Sequence, residues 1–377
     1  MIQKELFTTI ERQYKSQLPF VGYRHPNDSS LKVILQRDNT IHTVNDFTEC
    51  GFVFSPFNSK QDTILFPLEQ SSTHSCEFMC PSEIAITQDL APKRKVYYNT
   101  KNEHEQHLKL VEKGIKAIND GKFEKVVLSR MEGVPVFEES PIDIFKTLLD
   151  TYPTAYVYIW YHPQIGLWLG ATPETLLNIE GQRFKTMSLA GTKKYDTSID
   201  IPWGVKEVHE QQIVTDFIVN SLQEFVDTIN VTNPVTVKAG QLLHLQSKIS
   251  GVLKSGQLKS VLETLHPTPA ICGLPKTEAK DFILANENYN REFYSGFLGE
   301  LNIKIARTRN TNRRNVENNA YSTVKITSQL FVNLRCMQIK DEQALIYVGG
   351  GITKDSQPKL EWEETVNKTK TILDILI

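Results

Sequence analysis

The stretch Ile346-Tyr347-Val348-Gly349-Gly350-Gly351-Ile352 is soon followed by Pro358-Lys359-Leu360-Glu361-Trp362-Glu363-Glu364-Thr365-Val366-Asn367-Lys368. A short apolar strand enters three glycines and then a helix. At 100° per residue, Glu361, Glu364 and Lys368 fall within about 60° of one another. Trp362, Val366, Thr369 and Leu373 form a separate apolar stripe. Two carboxylates and an ammonium thus share a face near a glycine-rich turn, where a ligand can reach backbone N–H groups with no Cβ in the way. Such a face suits a metal ion together with an anionic substrate. A solvated helix face beside a tight turn has the same sequence, so this segment needs company.

Further groups lie upstream. Phe331-Val332-Asn333-Leu334-Arg335-Cys336 is a strand with an arginine near its end, shaped for bidentate carboxylate recognition. Arg291-Glu292-Phe293-Tyr294-Ser295-Gly296 supplies a phenol. His266-Pro267-Thr268-Pro269-Ala270-Ile271-Cys272-Gly273-Leu274-Pro275 is a Pro/Gly loop presenting an imidazole and a hydroxyl. A helix starting near Trp203 carries the stripe Val214, Ile218, Leu222, Phe225 and Ile229, and Glu210 lies on that stripe one turn earlier. An inward carboxylate is costly unless it is paired or bound to a cation. Glu210 is therefore a metal-ligand candidate or half of a buried salt bridge.

In Phe123-Glu124-Lys125-Val126-Val127-Leu128-Ser129-Arg130, strand alternation puts Lys125, Val127 and Ser129 on one face. A lysine desolvated there drifts toward the range of a general base; on an edge strand it would merely blunt aggregation. In Gly170-Ala171-Thr172-Pro173-Glu174-Thr175-Leu176-Leu177, a carboxylate follows a Gly/Pro turn at the mouth of an apolar run. It can serve as a general acid if burial raises its pKa. Leu189-Ala190-Gly191-Thr192 offers small residues and a hydroxyl where backbone could approach a ligand carboxylate.

The rest of the chain sets limits. Its 377 residues, 40% hydrophobic, allow a large α/β or α+β unit or two to three smaller domains. A net charge of −2 argues against nucleic-acid binding. No apolar run approaches the roughly eighteen residues of a membrane span, and Met1-Ile2-Gln3-Lys4-Glu5 lacks the layout of a signal peptide. Five irregularly spaced cysteines do not suggest a disulfide framework, and His74-x-Cys76-x3-Cys80 lacks the second pair that a structural zinc site needs. A soluble, cytoplasmic protein is expected. Short β-like runs occupy Leu31–Gln36, Gly51–Pro56 and Thr63–Pro67. Residues 100–120 predict an amphipathic helix through Leu108, Val111, Ile115 and Ile118, and strands are expected near 123–131, 155–161, 165–170 and 174–180, with helix at 141–150. The basic run 304–314 predicts a solvated hairpin insertion rather than an anion-binding loop.

Taken in order, Lys125–Arg130, Ala171–Glu174, Leu189–Thr192, His266–Pro275, Arg291–Gly296, Val332–Cys336 and Gly349–Lys368 resemble the chorismate-utilising enzymes. This family includes isochorismate, salicylate, anthranilate and aminodeoxychorismate synthases. The likeness covers roughly residues 100–377. It implies that Lys125 is the general base activating water and Glu174 the general acid protonating the departing hydroxyl. It implies Mg²⁺ held by Glu210 and Glu364 with Glu361 close by, and substrate carboxylates gripped by Tyr294, Arg335, Lys368 and the backbone around Ala190, Gly191, Thr192 and Gly350. His266 would line the ring pocket. Gln211 departs from the family, which often has histidine there, and the basic insertion is unusual.

Ammonia-using members generally lack a lysine at the base position and rely on a glutamine amidotransferase. Lys125, with no room for such a domain in this length, points to water as nucleophile. The His266–Pro275 loop looks more like the isochorismate-forming branch, an isomerase; salicylate formation, which adds pyruvate elimination, is the alternative. The resemblance implies a large single-domain α+β fold of antiparallel sheets with outer helices, residues 1–95 being its variable N-terminal part and 96–377 its catalytic core. It further implies chorismate as the small-molecule substrate, a monomer without an amidotransferase subunit, and no nucleic-acid or membrane partner. The product would feed menaquinone, the more widespread need, or a catechol siderophore.

Overall fold

The computed structural model describes residues 1–79, 100–136, 140–239, 242–308 and 322–376. Several of its strands are apolar on both faces, and this dictates the layering. Tyr156–His162 is buried along its whole length. Alternation sends Val157, Ile159 and Tyr161 into one core cluster and Tyr158 and Trp160 into another. A strand of this kind needs cover on both sides, so the sheets stack face to face with helices outside.

The nine-stranded sheet runs, edge to edge, Gly273–Leu274, Lys125–Pro135, Gln343–Ile352, Cys336–Lys340, Gly166–Thr172, Tyr156–His162, Phe20–Arg24, Ser30–Gln36 and Ser71–Glu77. The ten-stranded sheet runs Val226–Val231, Leu242–Leu253, Arg183–Lys194, Thr175–Glu180, Ser322–Val332, Phe297–Thr308, Gly51–Ser55, Ile64–Pro67 and His42–Thr43, with Val235–Ala239 also paired to Leu242–Leu253. Every pairing among the described residues is antiparallel. The layer between the sheets is aromatic and draws on both: Phe54 stacks on Phe293 with centroids 4.2 Å apart, and Phe66 on Trp160 at 5.2 Å. Gln3–Lys15 and Pro141–Thr151 cover the outer face of the nine-stranded sheet through Leu6, Ile10, Phe145 and Leu148. Val205–Leu222 and Leu258–Leu265 cover the ten-stranded sheet through Val214, Ile218, Val261 and Leu262. Thr100–Asn119 and Lys276–Asn286 pack beside the strand that begins at Lys125.

This is the expected α+β fold, with local departures. The helix near Trp203 ends at Leu222, and Phe225 and Ile229 do not extend its stripe: Val226–Val231 is a strand paired with Leu242–Leu253. Thr228, Ile229 and Val231 are β-branched, and pairing with an existing strand overrides the helical spacing. On the last helix, Pro358–Leu373, Thr369 and Leu373 of the expected stripe are buried, whereas Trp362 and Val366 are only half-buried and Glu361 and Thr365 are buried in their place. Arg130 explains this: it donates to Thr365 Oγ1 (2.9 Å) and Thr369 Oγ1 (3.2 Å), and its guanidinium lies 4.4 Å from the Trp362 ring centre. Cys76 packs in the core; Cys80 lies outside the described residues. The strands flanking the basic run, Phe297–Thr308 and Ser322–Val332, pair with each other, while 309–314 fall outside the described residues. Among the described residues no helix is long and apolar enough to cross a membrane.

Candidate active site

Two chain crossings between the sheets stand side by side, and each carries an ionisable group. Pro173-Glu174 leads from Gly166–Thr172 in one sheet to Thr175–Glu180 in the other; Asn333-Leu334-Arg335 returns from Ser322–Val332 to Cys336–Lys340. Pro173 has no N–H to offer a ladder, so the first strand stops there. Thr172 Oγ1 donates to the Val332 carbonyl at 2.6 Å, and the Val332 amide donates to the Glu174 carbonyl at 3.0 Å, so the crossings are tied together. Arg335 adopts φ +48°, a left-handed conformation costing on the order of 1 kcal/mol for a non-glycine residue. Strain of this kind collects where a side chain must be aimed.

Glu174 is buried, and burial pushes its carboxyl up to about 8 despite Arg335, Lys125 and Lys368 nearby. It is therefore protonated at neutral pH. Lys125, at the start of its strand, is 2% exposed; burial pulls its ammonium below the usual lysine range, with Glu210 the chief opposing charge. One buried acid holds its proton and one buried amine is pressed to lose it, as paired acid–base catalysis requires.

The three glycines pass over these groups. The expected glycine-rich turn is instead the end of the strand Gln343–Ile352: Gly349, Gly350 and Gly351 pair with Ser129, Leu128 and Val127. A Cβ at Gly351 would stand 3.0 Å from Lys125 Cε and 3.4 Å from Glu210 Oε1; at Gly350, 3.6 Å from oxygens of Glu361 and Glu364; at Gly349, 3.0 Å from the Tyr294 hydroxyl. Glu210, Glu361 and Glu364 thus approach one strand from two helices. Glu364 accepts from Lys368 Nζ at 2.6 Å, and that ammonium also donates to the Gly349 carbonyl at 2.8 Å. Burial, the largest influence, pushes Glu364 up, but Lys368, with Lys206 behind it, helps hold the carboxyl below its ordinary value. Glu210 is raised, by burial first, and its Oε1 is buried with no hydrogen-bond partner among the described residues. An orphaned carboxylate oxygen among hard oxygen donors fits a divalent cation such as Mg²⁺. As they stand, no three His, Cys, Asp or Glu side chains among the described residues are grouped closely enough to hold a metal. Glu361 is turned to Lys206, 2.7 Å away, and Glu364 to Lys368.

A cavity of about 80 Å³ collects Lys125, Glu174, Glu210, Arg335, Glu364 and Lys368, with Ala190, Gly191 and Thr192 in its wall. An adjoining cavity of about 150 Å³ shares Pro173, Leu189 and Arg335 with it. Arg335 Nη1 is buried without a partner among the described residues, a donor held ready for an anion. Four other expected residues do not form this wall. His266 spends Nε2 on the Ser295 carbonyl at 3.0 Å and, pulled down to about 3 by burial, is neutral; it braces the loop. Tyr294 lies behind Gly349, Gly350 is replaced in the wall by Gly351, and Glu361 is set back by its bond to Lys206.

Two wall or near-wall residues carried no sequence signal. His244 hydrogen-bonds the Gly191 carbonyl through Nδ1 at 2.8 Å and faces Arg335 Nη2 through Nε2 at 3.5 Å. Burial pulls it down to about 3, so it is neutral, with Nδ1 donating and Nε2 left as an acceptor. Lys206 is the other. Only an inward-strand histidine and a lysine one turn before Glu210 could have hinted at them. Gln211, the departure noted above, donates to Ser188 Oγ, Thr215 Oγ1 and Ser247 Oγ, pinning its helix to the sheet.

The family model described as "Chorismate binding enzyme" matches residues 57–305, and a second described as "chorismate binding enzyme" matches 321–374. The chain is 28% identical over 279 residues to the isochorismate synthase MenF of Pasteurella multocida, covering 71% of this chain and 60% of that protein. It is 29% identical over 265 residues to the isochorismate synthase EntC of Escherichia coli K12, covering 67% and 62%. The chain thus spans about three fifths of the length of these curated relatives. Its fold superposes on a crystal structure described as DhbC of Bacillus anthracis with a TM-score of 0.75, at 21% identity, covering 98% of this chain and 99% of that one.

Proposed function

The chain belongs to the chorismate-binding enzyme family, and we propose that within it this protein is an isochorismate synthase. Chorismate would gain a hydroxyl at C2 and lose the one at C4, with the double bonds shifting between, so that substrate and product are isomers. Lys125 takes a proton from water as its oxygen bonds to C2. Glu174 gives its proton to the oxygen leaving C4. Arg335 and Lys368 hold carboxylates, while Gly191 and Thr192 supply backbone and a hydroxyl at the wall. When bound by Glu210, Glu364 and a released Glu361, Mg²⁺ would supply a positive anchor for the ring carboxylate. The observation that carries this reading is the pairing of a buried, proton-holding Glu174 with a buried, pKa-lowered Lys125 in one cavity. The same reading makes the protein a cytoplasmic monomer without an amidotransferase subunit, its product feeding menaquinone or a catechol siderophore.

Incubation with chorismate and Mg²⁺, followed by chromatography, tests it. Isochorismate is expected; salicylate with pyruvate would move the protein to the salicylate branch, and untouched chorismate would end the proposal. Turnover should vanish with a chelator and return with added Mg²⁺, and Glu210→Ala and Glu364→Ala should behave like the chelated enzyme. Full activity in chelator would remove the metal from the account.

The pH profile tests Glu174 separately. Its raised pKa means the required proton is present below about 8 and lost above it, so kcat/KM should fall on the alkaline side with a limb near that value. In Glu174→Gln, which has no such proton, the residual rate should lack this limb. An unchanged limb would assign it to another group.

A further inference from the structure

Glu361 is 2% exposed, and its carboxylate is bonded to Lys206 at 2.7 Å. Across the same strand, Glu210 keeps a buried oxygen without a partner among the described residues, and Glu364 is held by Lys368. Three carboxylates thus gather around Gly350 and Gly351 with two ammonium groups in direct contact, and one of those ammoniums occupies the carboxylate that a cation would need. Lys206 has somewhere to go. It also lines a separate cleft of about 640 Å³, with Phe123, Val205, His209, Pro275 and Lys354, and its side chain is 31% exposed, whereas that of Glu361 is 3% exposed. The lysine can therefore regain water on leaving, but the glutamate cannot, and an unpaired buried carboxylate is strongly disfavoured.

We propose that Lys206 is a resident stand-in for the metal: its ammonium neutralises Glu361 in the cation-free protein and is displaced into the neighbouring cleft when a divalent cation binds. This rests on the metal-dependent reading above. It makes the cation compete with a lysine already in place, which holds affinity down and keeps Glu361 occupied until a dication arrives.

The test is calorimetric titration of the whole protein with Mg²⁺ alone, repeated with Mn²⁺, without substrate. Lys206→Met and Lys206→Gln should bind the cation about tenfold more tightly, because a like charge at contact distance has been removed. Lys206→Arg, which keeps charge and pairing, should stay within about twofold of the unaltered protein. Lys354→Met, which removes a charge from the same cleft, should also change little, being outside the contact. Unchanged or weaker binding in both neutral Lys206 variants, with thermal melts showing them folded, overturns the stand-in role. Equal tightening in Lys354→Met overturns it too, since net charge would then suffice. If the unaltered protein binds no cation, or if Glu364→Gln leaves binding untouched, the metal reading falls and takes this proposal with it. Binding lost in Glu364→Gln but indifferent to Lys206 overturns the stand-in alone.

Discussion

Lys125→Ala is expected to lower kcat for chorismate by roughly 10²–10⁴-fold while leaving substrate binding largely intact, and Glu174→Ala to do the same. Water at neutral pH is a poor nucleophile and hydroxide a poor leaving group, so each side of the ring needs its own proton-transfer partner. Lys125 is held below its usual range by burial, and Glu174 is pushed up to about 8 by the same cause. Among the described residues, neither side chain has a hydrogen-bond partner that would immobilise its working proton. The conversion is reversible in this scheme with roles exchanged, so both variants should also fail to turn isochorismate into chorismate. Arg335, Lys368 and the glutamates remain in place, and KM should move little. The decisive measurement is the separation of kcat from KM. If Lys125→Ala mainly raises KM, the lysine is an anchor for a carboxylate and water is activated elsewhere.

The second large effect concerns residues before the catalytic motifs. A fragment starting at Thr100 should not fold. Residues 1–79 place Phe20–Arg24 beside Tyr156–His162 in one sheet and Gly51–Ser55 beside Phe297–Thr308 in the other. Their loss leaves two long apolar strands as open edges, templates for aggregation. It also strips Phe52, Phe54 and Phe66 from the aromatic layer between the sheets. Truncating one buried aromatic costs about 3–5 kcal/mol, and a few of them exceed the roughly 5–15 kcal/mol that holds a domain together. Circular dichroism melts and size-exclusion chromatography of the fragment decide this. A monomeric species with a cooperative transition would establish the first ninety-odd residues as a separate unit.

What could be read from sequence follows from how local each signal is. Glu174, Lys125 and the triple glycine sit in short segments where strand alternation or a turn restricts the backbone, and the resemblance arranged those segments in a known order. The α+β class followed from that order, since apolar runs buried on both faces fit a buried strand and a buried helix segment equally well. The Lys206–Glu361 pair was not legible, because its partners are 155 residues apart and neither segment reveals the other. His244 looks like any inward residue of a strand until Gly191 and Arg335 are brought beside it. The extension of a helical stripe past Leu222 failed because spacing cannot foresee that Leu242–Leu253 will offer Val226–Val231 an edge to pair with. Of the stripe expected on the last helix, Thr369 and Leu373 are buried but Trp362 and Val366 are only half-buried, because Arg130, far upstream, rewards inward threonines.

The two crossings that carry Glu174 and Arg335 make the spacing between the layers a chemical variable. Lys125 rides on the nine-stranded sheet, and Gly191 and Thr192 on the ten-stranded one. Glu174 and Arg335, the proposed proton donor and anion anchor, stand on the struts between them. A slip of one layer against the other therefore changes donor–acceptor distances before it breaks a single ladder hydrogen bond. The stacked rings of Phe54, Phe293, Phe66 and Trp160 act as the gauge block that sets this gap. Under the proposed mechanism, tolerance to substitution in that filling is limited by proton transfer as well as by melting.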